Sequence, residues 1–221
     1  MRDWPLYPKQ IYHQALFLDR DGTINVDTHY PHNANLLELI PKAIDGMRIL
    51  AQLPIHIIVV SNQAGIALGL FTPEQMSEFN AELRSRVEHA GGCIDAFYYC
   101  PHLEPKNLKK GQNPCNCSKP ASGMLLEASE DFDIDLTNSF IVGDKTSDIV
   151  AGETVGCTGI LVKTGKGGNE EGALPIQTNL IAKDLYEASL IIQSLIEYED
   201  IEEHQLAISL AKGEIHYANN N

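Results

Sequence analysis

Ala15-Leu16-Phe17-Leu18-Asp19-Arg20-Asp21-Gly22-Thr23 is the stretch from which the fold can be read. A short apolar run of strand length ends in two carboxylates at i and i+2, and Gly22 then lets the chain turn sharply away. Further along, Ile55–Val60 is β-branched and nearly unbroken before Ser61-Asn62-Gln63, and Ser139–Gly143 leads into Asp144-Lys145. Ile94–Cys100 and Thr158–Val162 are two more runs of that kind. Helical patterns fill the intervals: Pro41–Gln52, a segment capped by Thr72 and running to about His89, Ala121–Glu130, Thr146–Thr154 and Asp184–Ile196. This alternation predicts an α/β fold, a doubly wound parallel sheet with helices on both faces. Unbroken apolar strands are what a sheet covered on both faces requires.

The chain has 221 residues, 43% of them apolar, enough for one substantial core or a core with a small appended module. Its net charge of −14 argues against a nucleic-acid or anionic-membrane partner. The acidity is uneven: from Lys183 to Asn221 there are eight Asp or Glu and two Lys. No apolar run approaches a membrane span, and Met1–Gln10 lacks the apolar centre of a secretory signal. A cytoplasmic location is the expectation.

Ligands of open parallel sheets bind beyond the carboxyl ends of the strands. There this sequence places Asp19 and Asp21, Ser61, a Cys/His loop leading to Lys119, and Asp144 with Lys145 and Asp148. Carboxylates crowded together repel unless a cation holds them, and an oxygen donor set with open positions suits Mg²⁺. One carboxylate can attack phosphorus and the other protonate the leaving oxygen, while Lys119 and Ser61 neutralise the phosphoryl oxygens. A single acid at a strand end is commonplace, but four stations in this order are not. Cys100, His102, Cys115 and Cys117 make a Cys₃His set, the donor set of a closed structural zinc site, at the two ends of a loop too long for an ordinary connection. Cys93 and Cys157 read as buried apolar side chains.

These residues carry a resemblance. Asp19-Arg-Asp-Gly-Thr23, Ser61, Lys119 and Gly143-Asp-Lys-Thr-Ser-Asp148 look like the four motifs of the haloacid dehalogenase (HAD) superfamily. Phe17–Asn25, Ser61–Ile66, Cys100-Pro-His102, Cys115-Asn-Cys-Ser-Lys-Pro120 and Val142–Asp148 together resemble the D-glycero-D-manno-heptose bisphosphate 7-phosphatases and the kindred histidinol-phosphate phosphatases. The resemblance runs from about Gln14 to Gly168 and implies a Rossmann-like, capless fold with a zinc-bound loop over residues 100–117. It implies Asp19 as nucleophile, Asp21 as general acid/base, and Ser61 and Lys119 on the phosphoryl group. Mg²⁺ would lie on Asp19, the Asp21 carbonyl and Asp144, with Asp148 in support. Substrate contacts are expected at Asp27, Thr28, His29, Tyr30, Asn62, Gln63, Ala64, Ser118 and Lys145.

Departures from the family fall on the substrate side. Ser118 stands where the heptose enzymes have an Arg that meets the second phosphate, and His29 stands where Gly is usual. Lys106, Lys109 and Lys110 are candidates to supply the missing charge. Lys163-Thr-Gly-Lys-Gly-Gly168 lacks the flanking residues of a P-loop and reads as a turn after the last strand. Asn25 and Thr23 read as shaping the turn after Asp19. The expected organisation is a phosphatase domain over 1–195 and an acidic helical extension over 196–221, acting as a monomer on a small phosphorylated sugar with Mg²⁺ and Zn²⁺. Histidinol phosphate is the alternative substrate, and a non-catalytic zinc-stabilised binding module the alternative of another class.

Overall fold

The computed structural model describes residues 2–3, 12–103, 107–109 and 113–211. Among them one seven-stranded sheet runs in the order β1-β4-β3-β2-β5-β6-β7. The strands are β1 (Arg2–Asp3), β2 (Ala15–Leu18), β3 (His56–Asn62), β4 (Ala96–Cys100), β5 (Phe140–Gly143), β6 (Thr158–Val162) and β7 (Ile181–Ala182). From β4 to β7 every neighbouring pair is parallel. The expected parallel sheet is present, and at one edge β1 adds to it antiparallel on β4, pairing Arg2 with Tyr98. Strands of two residues have no periodicity, so β1 and β7 could not be read from the sequence.

Parallel neighbours need crossovers, and four of them carry a helix: α1 (Ala43–Leu50), α2 (Pro73–His89), α3 (Gly123–Phe132) and α4 (Thr146–Glu153), while α5 (Leu185–Ala211) follows the last strand. Alternation along the strands feeds two cores. Leu16, Leu18, Ile57 and Val59 meet Met47 of α1, Phe79 of α2 and Ile192 of α5. Ala15, Phe17, Ile58 and Val60 point the other way, onto Met124, Leu125 and Ala128 of α3. Each large side chain so buried contributes about 1.5–3 kcal/mol. α2 starts as its sequence predicts, with Thr72 and Gln75 forming a reciprocal capping box ahead of which Pro73 costs no hydrogen bond. α5 is one continuous helix, where the sequence suggests an end at Ile196 and a further helix beyond. Ile196 is still packed in the core. No described helix is long and apolar enough to cross a membrane.

The register positions the site. Leu18 pairs with Val59 on one side and Val142 on the other, so β2 and β5 end within a residue of each other while β3 runs on to Asn62 and carries Ser61 beyond them. Between Asn62 and Ala96 the only regular element is α2, and the described part of the loop from Cys100 to α3 holds no α-helix or strand. Among the described residues no cap domain covers this edge.

Candidate active site

Asp19 emerges from β2 with its N–H bonded to the Val142 carbonyl at 2.9 Å, which aims its side chain between β3 and β5. Its Oδ1 accepts from the Lys119 ammonium at 2.6 Å, and Lys119 also meets Asp148 Oδ1 at 2.7 Å and the Val60 carbonyl at 2.8 Å. All three side chains are almost fully buried. Burial alone would discharge Lys119, but Asp148 and Asp19 reverse that and hold its pKa above the ordinary lysine value. Asp148 is saturated, since its other oxygen accepts from the Lys145 N–H at 3.0 Å.

Two carboxylate oxygens remain bare: Asp19 Oδ2 and Asp144 Oδ1 are buried and have no hydrogen-bond partner. Oxygens of Asp19, Asp144 and Asp148 lie within 4.8 Å of one another. Burial pushes Asp19 up to about 6, against the pull of Lys119. Burial and the neighbouring Asp19 charge push Asp144 to about 7. Buried hard oxygens without a hydrogen-bond partner, on carboxyls that burial makes resist ionisation, are the donor set that a divalent cation fits. Lys145 stands beside them, its ammonium 4.0 Å from Asp144 Oδ1 and partly exposed. Burial works against its charge, but Asp19, Asp148, Asp144 and Asp27 outweigh it and raise its pKa.

Asp21 is held differently. Arg20 grips both its oxygens at 2.9 Å, Asn25 donates to Oδ1 at 2.9 Å, and Gln63 donates to Oδ2 at 3.1 Å. Burial would raise its pKa, but Arg20 and these donors prevail and lower it. Gln63 also donates to Ser61 Oγ at 2.7 Å, which leaves the serine proton to point elsewhere. Arg20, given no role by the sequence, thus matters to the site, and Asn25 and Gln63, expected to shape the turn and to touch substrate, hold Asp21 and Ser61 in place.

The remaining positions divide. The Asn62 amide makes a reciprocal pair with the Lys119 backbone at 3.0 and 3.1 Å, and Ala64 is buried. Ser118 is buried too, and its hydroxyl has no partner. Asp27, Thr28, His29 and Tyr30 lie at least partly in solvent, with His29 and Tyr30 both at φ 60°, the left-handed conformation that glycine adopts without strain. Lys109 is exposed, while Lys106 and Lys110 fall outside the described residues.

The loop after β6 does turn the chain, but it also reaches the carboxylates. The Lys166 N–H donates to Asp144 Oδ2 at 2.6 Å, the Gly168 N–H to the Asp144 carbonyl at 2.8 Å, and Thr164 Oγ1 to the Gly22 carbonyl at 2.7 Å. Gly165, at φ 55°, passes so close that a Cβ there would run into the Asp144 carboxylate. Glu170 accepts from the Thr146 N–H at 2.6 Å and from its hydroxyl, capping α4.

At the far end of β4, Cys100, His102, Cys115 and Cys117 converge, with donor atoms within 4.8 Å of one another. Cys100 Sγ lies 3.0 Å from Cys117 Sγ and 3.5 Å from Cys115 Sγ, and His102 Nδ1 lies 3.3 Å from Cys117 Sγ. A tetrahedron built on Zn–S bonds of about 2.3 Å has S···S edges of about 3.8 Å, so the thiols lie somewhat closer together than a bound zinc would hold them. Burial pushes the Cys100 thiol up, whereas at Cys115 hydrogen bonds from Cys117 and the Ser118 N–H overcome burial and bring it to about 7. The donors fit zinc, and Cys117 is only two residues from Lys119.

Comparison with known proteins agrees with this geometry. The HAD-hydrolase-like family matches residues 116–188. The D-glycero-beta-D-manno-heptose-1,7-bisphosphate 7-phosphatase of Yersinia pestis is 38% identical over 159 residues, which cover 72% of this chain and 85% of that one. Its counterpart in Escherichia coli K12 is 40% identical over 153 residues, 69% of this chain and 80% of that one. The structure of the Bordetella enzyme described as D,D-heptose 1.7-bisphosphate phosphatase from B. bronchiseptica complexed with magnesium and phosphate superposes with a TM-score of 0.72 at 29% identity, covering 83% of this chain and 99% of that one. With relatives this similar over most of their length, the chain belongs to the heptose-bisphosphate phosphatase family of HAD-like hydrolases and is a phosphatase.

Proposed function

We infer that the chain is a Mg²⁺-dependent phosphomonoesterase that passes the phosphoryl group through Asp19, and that it removes the 7-phosphate of D-glycero-D-manno-heptose 1,7-bisphosphate. The observation that carries this is the split state of Asp19, one oxygen clamped by Lys119 and the other bare beside bare Asp144 Oδ1. Asp19, Asp144 and the Asp21 carbonyl would hold Mg²⁺, which when bound neutralises the charge of the incoming phosphoryl oxygens.

The chain's own groups do the rest. Lys119 and the Ser61 hydroxyl proton hold phosphoryl oxygens, Lys119 being kept charged by its two carboxylates. An Asp19 oxygen attacks phosphorus, the ester P–O bond breaks, and the leaving oxygen takes a proton from Asp21. Asp21 is ionised in the free protein, but a dianionic phosphate brought against it raises its affinity for a proton. In the second half Asp21 takes a proton from water, the water oxygen attacks phosphorus, and the bond to Asp19 breaks, releasing phosphate, freeing the Asp19 carboxylate and leaving Asp21 protonated as it was at the start of the first half. Cys100, His102, Cys115 and Cys117 would hold a structural zinc that fixes the approach to Lys119.

One observation favours a second reading. Buried, uncharged Ser118 offers nothing to a second phosphate, as a monophosphate substrate such as histidinol phosphate would permit. Turnover of both compounds with Mg²⁺, with ³¹P NMR showing which phosphate leaves, decides between them. Release of the 7-phosphate with the 1-phosphate retained is the expected result, and preference for histidinol phosphate would overturn the assignment.

A further inference from the structure

The buried face of α2 reads Met76, Phe79, Asn80, Leu83 and Val87, four apolar side chains and one amide. An amide in such a row is costly unless it is paired. Asn80 Nδ2 donates to the Met76 sulfur at 3.0 Å, a weak acceptor. Its Oδ1 has a strong partner, Arg20 Nη1, which donates to it at 2.9 Å.

Arg20 is buried as well, and its guanidinium is held on several sides at once. Nε and Nη2 grip the two Asp21 oxygens at 2.9 Å, and Nη2 also donates to the Pro31 carbonyl at 3.0 Å. The guanidinium carbon sits 4.6 Å from the centre of the Phe79 ring, the neighbour of Asn80 on α2. The loop that carries Pro31 is itself docked on the start of α2, where His32 stacks on Phe71 with ring centroids 4.9 Å apart.

A bidentate arginine–carboxylate pair shares one plane, so the carboxylate turns as the guanidinium turns. A long unbranched side chain holds one direction only when its far end is locked by packing and hydrogen bonds. Asn80 supplies that lock at Nη1, the nitrogen that makes no bond to Asp21. Proton transfer to a leaving oxygen depends on such aim, because donor and acceptor must come within about 3 Å.

We propose that Asn80 is a positioning residue for the reaction: by holding Arg20 Nη1 it fixes the guanidinium against Phe79, and so the direction in which Asp21 meets the leaving oxygen. The assignment rests on the reading of Asp21 as general acid and base.

Esters with different leaving groups test this, because an alkoxide needs a proton as it departs and 2,4-dinitrophenolate does not. Asn80→Leu should lower kcat/KM for the alkyl ester of heptose 1,7-bisphosphate by about tenfold to a hundredfold, through kcat rather than KM. For 2,4-dinitrophenyl phosphate kcat/KM should stay within about twofold of wild type. That ester should instead show a burst of dinitrophenolate before slow turnover, since freeing Asp19 still requires Asp21 as base. Asn80→Asp keeps an oxygen on Arg20 and should restore most of the lost rate. Asn80→Ala, which adds no bulk, makes the same test should the leucine variant not fold. In an Asp21→Asn background Asn80→Leu should cost nothing further. Equal losses on both esters, no loss on either, or a full extra loss in the Asp21→Asn background would each overturn the proposal. If Asp21→Asn does not itself separate the two esters, the general-acid reading falls and takes this inference with it. If Asp21→Asn separates them and Asn80→Leu does not, this inference falls alone.

Discussion

At the residue scale the site is a problem of uncompensated charge. Asp19 and Asp144 are raised to about 6 and about 7 in the metal-free protein, well above an ordinary aspartate. The folded state therefore binds more protons than the unfolded chain between about pH 4 and 7, so these two groups lower stability as pH rises through that window. Thermal melts of metal-free protein should show this loss, and saturating Mg²⁺ should abolish it while its own affinity weakens below about pH 7. A pH profile identical with and without Mg²⁺ would contradict the donor assignment. Asp19→Asn should lose at least about 10³-fold in kcat, since an amide does not attack phosphorus. The variant should still fold, because Asp148 remains to hold the Lys119 ammonium at 2.7 Å. Circular dichroism and phosphate release measured on one preparation check both halves of that expectation.

At the scale of elements, what could be read from the sequence was whatever has period or composition. β2 and β6 begin and end where their apolar runs do, and α2 begins at its capping box. Asp19, Ser61, Lys119 and Asp144 were legible because each follows a readable strand or a Cys/His loop. The loop from Lys163 to Gly168 was not, because it works through backbone N–H groups, which every residue has. Its one trace is the glycines, and Gly165 shows why they are there. Gly165→Ala adds a Cβ against Asp144 in left-handed backbone, a cost of about 1–3 kcal/mol. It should weaken Mg²⁺ activation by about tenfold or more while leaving zinc content unchanged, as metal titration and elemental analysis would show. Cys117→Ser should do the converse, lowering bound zinc and then kcat by displacing Lys119, with Mg²⁺ affinity affected less.

Across the whole molecule, α5 is the element whose boundary matters most. Its first turns close one core through Leu185, Ala188, Ile192 and Ile196, and Gly46 of α1 lets the Leu185 backbone come close. A chain ended after Tyr198 should keep its activity and melt within a few degrees of the full chain, whereas one ended after Asp184 should not fold. Loss of activity on removing only residues 199–221 would give that stretch a role beyond stability. The strand order has a wider consequence. Asp19 and Asp144 follow the central strands β2 and β5 and Ser61 lies near the end of β3, whereas Ser118 and Lys119 follow the flanking strand β4 and the Lys166 loop the flanking strand β6. The Asp19 and Asp144 carboxylates are thus carried at the centre of the frame, and the groups around them reach in from both flanks. Mutation in either flanking loop can then alter what reaches the centre while the carboxylate pair there is inherited unchanged.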